Sequence, residues 1–170
     1  MAAYPHHVPT TIRLATTADS EAIRSIYNVE VLGSTVTFDL VPRTVEEQRE
    51  WMTLHAGVYP IVVAEIDGTI VGFASLSPYR PRPAYSTSAE DSVYVASDRR
   101  GEGIGRALLG EIVSLARVHG FHAVMARIVG DHETSIALHR SFGFELVGVE
   151  REIGRKFSRW LDVALMQLII

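Results

Sequence analysis

The stretch Ser92–Leu109, SVYVASDRRGEGIGRALL, constrains this chain more than any other. Val93, Tyr94 and Val95 form a β-favouring run, and a polar turn follows. The loop Arg100-Gly101-Glu102-Gly103-Ile104-Gly105-Arg106 then leads into an apolar series (Ile104, Leu108, Leu109, Ile112) at helical spacing. The order is strand, glycine loop, helix. Alternating glycines let the backbone fold tightly and bring its N–H groups close to an anion, and the helix that begins there adds the positive end of its dipole. Such a loop is built to hold phosphate oxygens. A Walker loop would end in Gly-Lys-Ser/Thr, and a dinucleotide fingerprint would place a third glycine where Arg106 stands, so neither fits.

With 170 residues and 47% hydrophobic content, the chain is long enough for one well-buried domain and short for two. We expect an N-terminal arm over residues 1–11 and a single domain over 12–170. A net charge of −4 and no Lys/Arg run argue against a nucleic-acid surface, which needs clustered cations. No run approaches the roughly 18 apolar residues that span a bilayer, so no membrane partner is expected. The opening MAAYPHHVPTT lacks the basic-then-apolar layout of a signal peptide, and a cytoplasmic protein is expected. The absence of cysteine excludes a cysteinyl nucleophile, a thiolate zinc site and a disulfide. His132-Glu133 lacks the second histidine of a zinc-protease helix, His119 and His122 are a chance pair, and no metal is expected.

The remaining elements follow from periodicity. Ile12–Leu14 reads as a strand, and a helix beginning at Asp19 carries Ala22, Ile23, Ile26 and Tyr27 on one face. Thr44 and Glu47 make a capping box for a helix to about Ala56, with Gln48, Trp51 and Leu54 on a shared face. Tyr59–Ile66 and Thr69–Ser77 flank Asp67-Gly68, a strong hairpin signal. The loop Pro78–Ser88 holds three of the seven prolines and cannot be a central strand. Ala89–Val95, the helix Gly103–His119 and Ala123–Val129 make a β-α-β crossover and hence a parallel strand pair. A helix over Thr134–Phe142 and strands over Phe144–Val149 and Asp162–Leu168 complete the chain. The fold class is therefore a mixed α/β sheet, with an antiparallel front half and a central parallel pair.

The loop Arg-Gly-x-Gly-x-Gly after a Val-Tyr-Val strand resembles the acetyl-CoA pyrophosphate loop of the GCN5-related (GNAT) N-acetyltransferases. Together with Ser34–Phe38, Ala89–Val95, Ser135–His139 and Trp160–Val163, in that order, it is similar to the phosphinothricin and methionine sulfone or sulfoximine branch. The resemblance runs from Ile12 to Gln167. It implies the GNAT fold with its central pair splayed around the cofactor. It also implies acetyl-CoA as co-substrate and direct acetylation of a small amino-acid-like amine in a ternary complex. A different acceptor, including a protein N-terminus, and a non-catalytic acetyl-CoA-binding module are the alternatives.

Site residues follow from the same resemblance. Arg100 to Arg106 (Arg100, Gly101, Glu102, Gly103, Ile104, Gly105, Arg106) would hold the pyrophosphate. Val93, Tyr94 and Val95 would present backbone donors to the thioester, and Ser135 would contact CoA. Relatives usually carry an asparagine where His132 stands. An ammonium is no nucleophile until it loses a proton, and Glu90 matches the family's base. On its own, Glu90 reads first as a solvated strand-end carboxylate, and it is the resemblance that favours the base. His139 is a candidate acid for the leaving thiolate, or a residue of the pocket wall or substrate site. Arg80 and Arg82 carry guanidinium forks suited to carboxylate, phosphinate or sulfone oxygens, with Phe38 and Tyr85 as apolar walls. A purely solvated loop is the other reading of both arginines. A homodimer is expected from the resemblance and from an apolar last strand, Val163–Ile170, that needs covering.

Overall fold

The computed structural model describes residues 10–170, so most of the expected arm lies outside the described residues. The arm's last residue, Thr11, already belongs to β1 (Thr11–Leu14). α1 (Ser20–Gly33) buries Ile23, Tyr27 and Val31 at helical spacing. α2 (Val45–Leu54) starts on the expected capping box: the Glu47 amide donates to Thr44 Oγ1 at 3.1 Å, and the Thr44 amide to Glu47 Oε2 at 2.8 Å. Gln48 is fully buried on this helix, but Leu54 is 74% exposed and does not share its face. Each step of three residues turns the helix back by about 60°, so by Leu54 the side chain has left the contact stripe. The helix also stops before Ala56, where His55 turns its Nδ1 onto the Trp51 carbonyl at 2.8 Å.

β2 (Ile61–Ile66) and β3 (Thr69–Pro78) pair through Asp67 and Gly68, both with positive φ, as the Asp-Gly signal requires. β4 (Ser88–Val95) pairs antiparallel with β3, α3 (Ile104–Val118) crosses over, and β5 (Ala123–Val129) returns parallel to β4. α4 (Glu133–Arg140), β6 (Glu145–Lys156) and β7 (Arg159–Ile169) follow. The seven-stranded sheet has the order β1-β2-β3-β4-β5-β7-β6, which is the mixed architecture expected.

Both faces of the sheet are covered. On one, Leu108, Leu109, Ile112 and Val113 of α3 pack on Val62, Ala64, Leu76 and Val124. On the other, Ile23, Tyr27 and Val31 of α1 pack on Ile61, Val63 and Phe73. Successive β2 residues thus go to opposite cores, which is why Ile61-Val-Val-Ala64 is continuously apolar. Along β4, Val93 and Val95 join the α3 core and Tyr94 the α1 core. By the same alternation Asp91 belongs to the α3 face and Glu90 to the α1 face.

Two expectations for the C-terminal third need correction. The last strands are longer than predicted and form a hairpin turned by Phe157 and Ser158, two non-glycine residues with positive φ that leave no turn signature in the sequence. A register break between Glu150 and Gly154, with Glu152 at φ 48°, interrupts the alternation that marks a strand. The apolar last strand also needs no covering partner, because β7 lies between β5 and β6 with Val163, Ala164, Met166 and Leu168 buried.

Gly72 lies opposite Val95 of β4, and a Cβ there would stand 2.9 Å from the Tyr94 carbonyl oxygen and 3.0 Å from Leu108. Gly72→Ala should therefore push β3 from β4 and cost about 1–3 kcal/mol, read as a lower urea midpoint with an unchanged slope.

Candidate active site

The parallel ladder between β4 and β5 is short. Ser88, Ala89 and Glu90 face Ala123, Val124 and Met125, and pairing ends there. Beyond Glu90, β4 continues to Val95 with a strand partner, among the described residues, only on its β3 side, so its backbone groups on the β5 side are left for another ligand. The two strands part around a cavity of about 850 Å³.

One end of this cavity is the glycine loop. Gly101 and Gly103 have φ of 81° and 83°, a region that side chains resist, and nothing lies within 4 Å of a Cβ at either. Gly103 is the residue before α3, whose first amides have no partner within the helix. Gly105 differs: it lies within α3, and a Cβ there would make ordinary contact with Leu138 at 3.5 Å and Val95 at 3.7 Å. Arg100 is paired with the buried Glu30 of α1, whose other oxygen accepts the Ser34 hydroxyl at 2.7 Å. A carboxylate of α1 thus fixes both the loop arginine and the start of the 34–43 segment.

α4 forms the wall opposite β4. His132 caps it, with Nδ1 accepting the Ser135 amide at 3.2 Å, so the residue in the usual asparagine position anchors the helix start. Burial lowers its pKa, and the charge of Arg100 adds to this. His139 is 3% exposed, and both its ring nitrogens are engaged: Nδ1 donates to the Ser135 carbonyl at 2.7 Å and Nε2 to Asp91 Oδ2 at 3.0 Å. Burial lowers the histidine pKa, but the bond to Asp91 and its charge outweigh it, and the net shift is upward. Asp91 Oδ1 is buried without a hydrogen-bond partner among the described residues.

At the other end, where the strands separate, stands Glu90. Burial pushes its carboxyl up to about 7, with Asp91 and Glu150 adding to the rise and Arg127 opposing it. Phe38 lines the same end, its ring seated on Gly154 where any Cβ would clash. Behind it, the buried Lys156 donates to the Thr37 carbonyl at 2.8 Å, fastening the 34–43 segment to β6.

Of the residues expected from sequence, Glu90, Val93, Tyr94, Val95, Arg100, Gly101, Gly103, Ile104, Gly105, Arg106, Ser135, His139 and Phe38 line the cavity. Glu102 does not; it points outward and pairs with Arg99 at 3.2 Å. Arg80, Arg82 and Tyr85 also stand outside it, with Arg80 stacked 5.0 Å from the Tyr79 ring and 5.7 Å from that of Tyr85. Sequence reasoning missed Glu30, Thr37, Asp91 and Arg127. Glu30 had one available signal, a carboxylate on the apolar face of α1 one turn after Tyr27.

This geometry has counterparts in known proteins, beginning with the acetyltransferase (GNAT) domain family, which matches residues 12–165. The chain belongs to the GNAT acetyltransferase family. It is 39% identical over 160 residues, 93% of both chains, to the L-methionine sulfoximine/L-methionine sulfone acetyltransferase of Pseudomonas aeruginosa. It is also similar to the phosphinothricin acetyltransferase of Sinorhizobium meliloti solved in complex with acetyl-CoA (41% identity, TM-score 0.91, 95% of this chain and 88% of that one). A third relative is the ribosomal-protein-alanine N-acetyltransferase of Brucella melitensis (42% identity, TM-score 0.92, 94% and 99% covered).

GNAT enzymes use acetyl-CoA, and the residues here fit it. The open left-handed glycines and the free amides of α3 suit a pyrophosphate. The unpaired edge of β4 offers donors and acceptors to an extended amide-bearing arm leading to Glu90. When bound, the cofactor supplies an activated acetyl thioester. A side chain at Gly103 drives the free loop out of its left-handed conformation, which binding must then restore. Gly103→Val should weaken CoA binding about five- to thirtyfold by calorimetry, from a strain of about 1–2 kcal/mol.

Proposed function

We propose that this acetyltransferase moves an acetyl group from acetyl-CoA to the α-amine of a small amino-acid-like acceptor of the phosphinothricin, methionine sulfone or methionine sulfoximine type. Attack is direct, in a ternary complex, with Glu90 as base. The carrying observation is the position of Glu90: a half-buried carboxylate where β4 and β5 part, with its pKa pushed up to about 7 by burial. Such a group is ionised in a large fraction near neutral pH yet is basic enough to take a proton from an ammonium, directly or through water. The amides of β4 that face the gap are suited to the charge that develops on the thioester oxygen.

For His139, the hydrogen bonds favour a positioning role over that of acid. Both N–H groups are already directed to Asp91 and Ser135, so releasing a proton to the leaving thiolate would break a buried ion pair. Ser135 lies beside it on α4 and remains a candidate CoA contact. Arg80 and Arg82 belong to this reading as outer contacts for acceptor oxygens, with Tyr85 as their support. Their loop leaves β3 at Pro78, opposite Ala89 and so one residue from Glu90.

We also propose a homodimer, now on different grounds. Among the described residues β6 is a free edge of the sheet, and it exposes Leu146, Val147, Val149 and Ile153. Light scattering at micromolar concentration should give twice the chain mass, and a monomer mass ends this proposal.

The likeness to the Brucella protein supports a second reading, acetylation of an N-terminal alanine. CoA thiol release over a panel of phosphinothricin, methionine sulfone, methionine sulfoximine and alanine-initiated peptides separates the two. The three amino acids should have the highest kcat/KM. Preference for the peptides selects the second reading, and no release above the amine-free rate returns the protein to a binding module.

Glu90→Gln tests the base. The wild-type rate should rise as pH passes about 7, because the carboxyl must lose its proton to act as base. The variant should lose about 100-fold or more at neutral pH with little change in acetyl-CoA affinity, and recover partly at alkaline pH where free amine is present.

A further inference from the structure

An α-amino acid brings two charged groups to the site, one bonded carbon apart. If its ammonium is delivered to Glu90, its carboxylate must lie a few ångströms away and needs a cation there. The cavity is lined by the arginines Arg99, Arg100, Arg106 and Arg127. The first three belong to the glycine loop and the start of α3. Arg99 pairs with Glu102, Arg100 with Glu30, and Arg106 reaches Ser141 while stacking on Phe142. Lys156 is spent on the Thr37 carbonyl, and Arg80 and Arg82 stand outside the cavity. Arg127 remains.

Its position suits the task. Glu90 pairs in parallel register with Met125, and Arg127 lies two residues further along β5 on the same face, about 6.6 Å beyond the last paired position. The two side chains therefore flank the point where the strands separate, on the α1 face. The Arg127 guanidinium is held by Glu150, with Nη2 at 2.6 Å and Nη1 at 3.4 Å from its two oxygens. That end-on pairing leaves three N–H donors, two of which form a second fork along the Nε edge. The arginine side chain is 32% exposed, so this fork can be reached.

We propose that Arg127 is a specificity-determining residue that binds the acceptor's α-carboxylate while Glu90 receives its ammonium, and that Glu150 holds the guanidinium in place for this. The assignment rests on the amino-acid acceptor class given above. It divides the acceptor between two arginine sites: Arg127 for the carboxylate, and the Arg80/Arg82 loop for oxygens at the far end of the side chain. A bare pair of carboxylates, Glu90 and Glu150, would repel an amino acid's own carboxylate. The guanidinium between them makes the zwitterion acceptable.

The test compares methionine sulfone with its decarboxylated analogue, the sulfone amine that lacks only the carboxylate, at saturating acetyl-CoA. Because Arg127 also acts on Glu90, assays are run well above pH 7, where Glu90 is ionised, and the readout is the ratio of the two kcat/KM values. In Arg127→Gln this ratio should fall about 10- to 100-fold, mainly through the KM of methionine sulfone. Arg127→Lys keeps the charge but loses the fork, and should lie between. A brace across β7 with no acceptor contact would lower the melting temperature while leaving the ratio unchanged, and that result overturns the proposal. If Arg127→Gln does not fold, Arg127→Lys decides alone: a ratio below wild type supports the contact, and a wild-type ratio overturns it. The parent reading fails differently. A wild-type enzyme that acetylates other amines but no α-amino acid removes the acceptor class and this role together. One that prefers the sulfone while both variants keep that preference removes only the role of Arg127.

Discussion

Everything in the candidate site depends on where one hydrogen-bond ladder stops. β4 and β5 pair over three residues and then diverge, and neither strand bends back to close the gap. A backbone edge left open inside a sheet is costly unless something else satisfies it. Here the open edge faces a cavity that begins at the left-handed glycines and ends at Glu90. The break is held open from outside: α3 packs against β3 and β4, while β5 is gripped along its full length by β7. The cavity is therefore a property of the sheet, and the loops only line its ends.

Much of this was legible in the sequence because each piece had a local cause. The glycine loop, the Asp-Gly hairpin and the Thr44–Glu47 capping box are short-range chemistry, and all three stand where expected. What was not legible depends on contacts between distant residues. Nothing near Arg127 announces that it meets Glu150, which is 23 residues away on a strand not adjacent to its own. Asp91 reads as one more polar residue of a strand until His139, 48 residues on, is placed against it. The β6–β7 turn was hidden for a different reason, since Phe157 and Ser158 adopt positive φ without glycine or asparagine. The loop arginines show the opposite failure: their chemistry was suggestive, but the fold leaves them outside the cavity of a single chain.

Two acid–base pairs, each with a buried carboxylate, frame the cavity and do different things. Glu30 with Arg100 joins α1 to the glycine loop and, through Ser34, to the segment carrying Thr37 and Phe38. Asp91 with His139 joins β4 to α4, the two walls between which a cofactor arm would run. Each pair crosses from one side of the cavity to the other, so its width is set by hydrogen-bond lengths and does not rely on apolar packing alone. Removing Arg100 or His139 would leave a buried carboxylate uncompensated, a larger penalty than the pair's own net contribution.

The alternation along β4 has a consequence for traffic through the enzyme. Because Glu90 and Tyr94 lie on one face and Asp91, Val93 and Val95 on the other, the gap between the strands opens onto both sides of the sheet. The glycine loop and α3 serve one side, while Glu90 and Arg127 serve the other. Two reactants can approach each other through the sheet as through a window, each from its own side. In the reaction proposed above, the acetylated product departs by the side from which the acceptor entered, while the nucleotide half of the cofactor is still held.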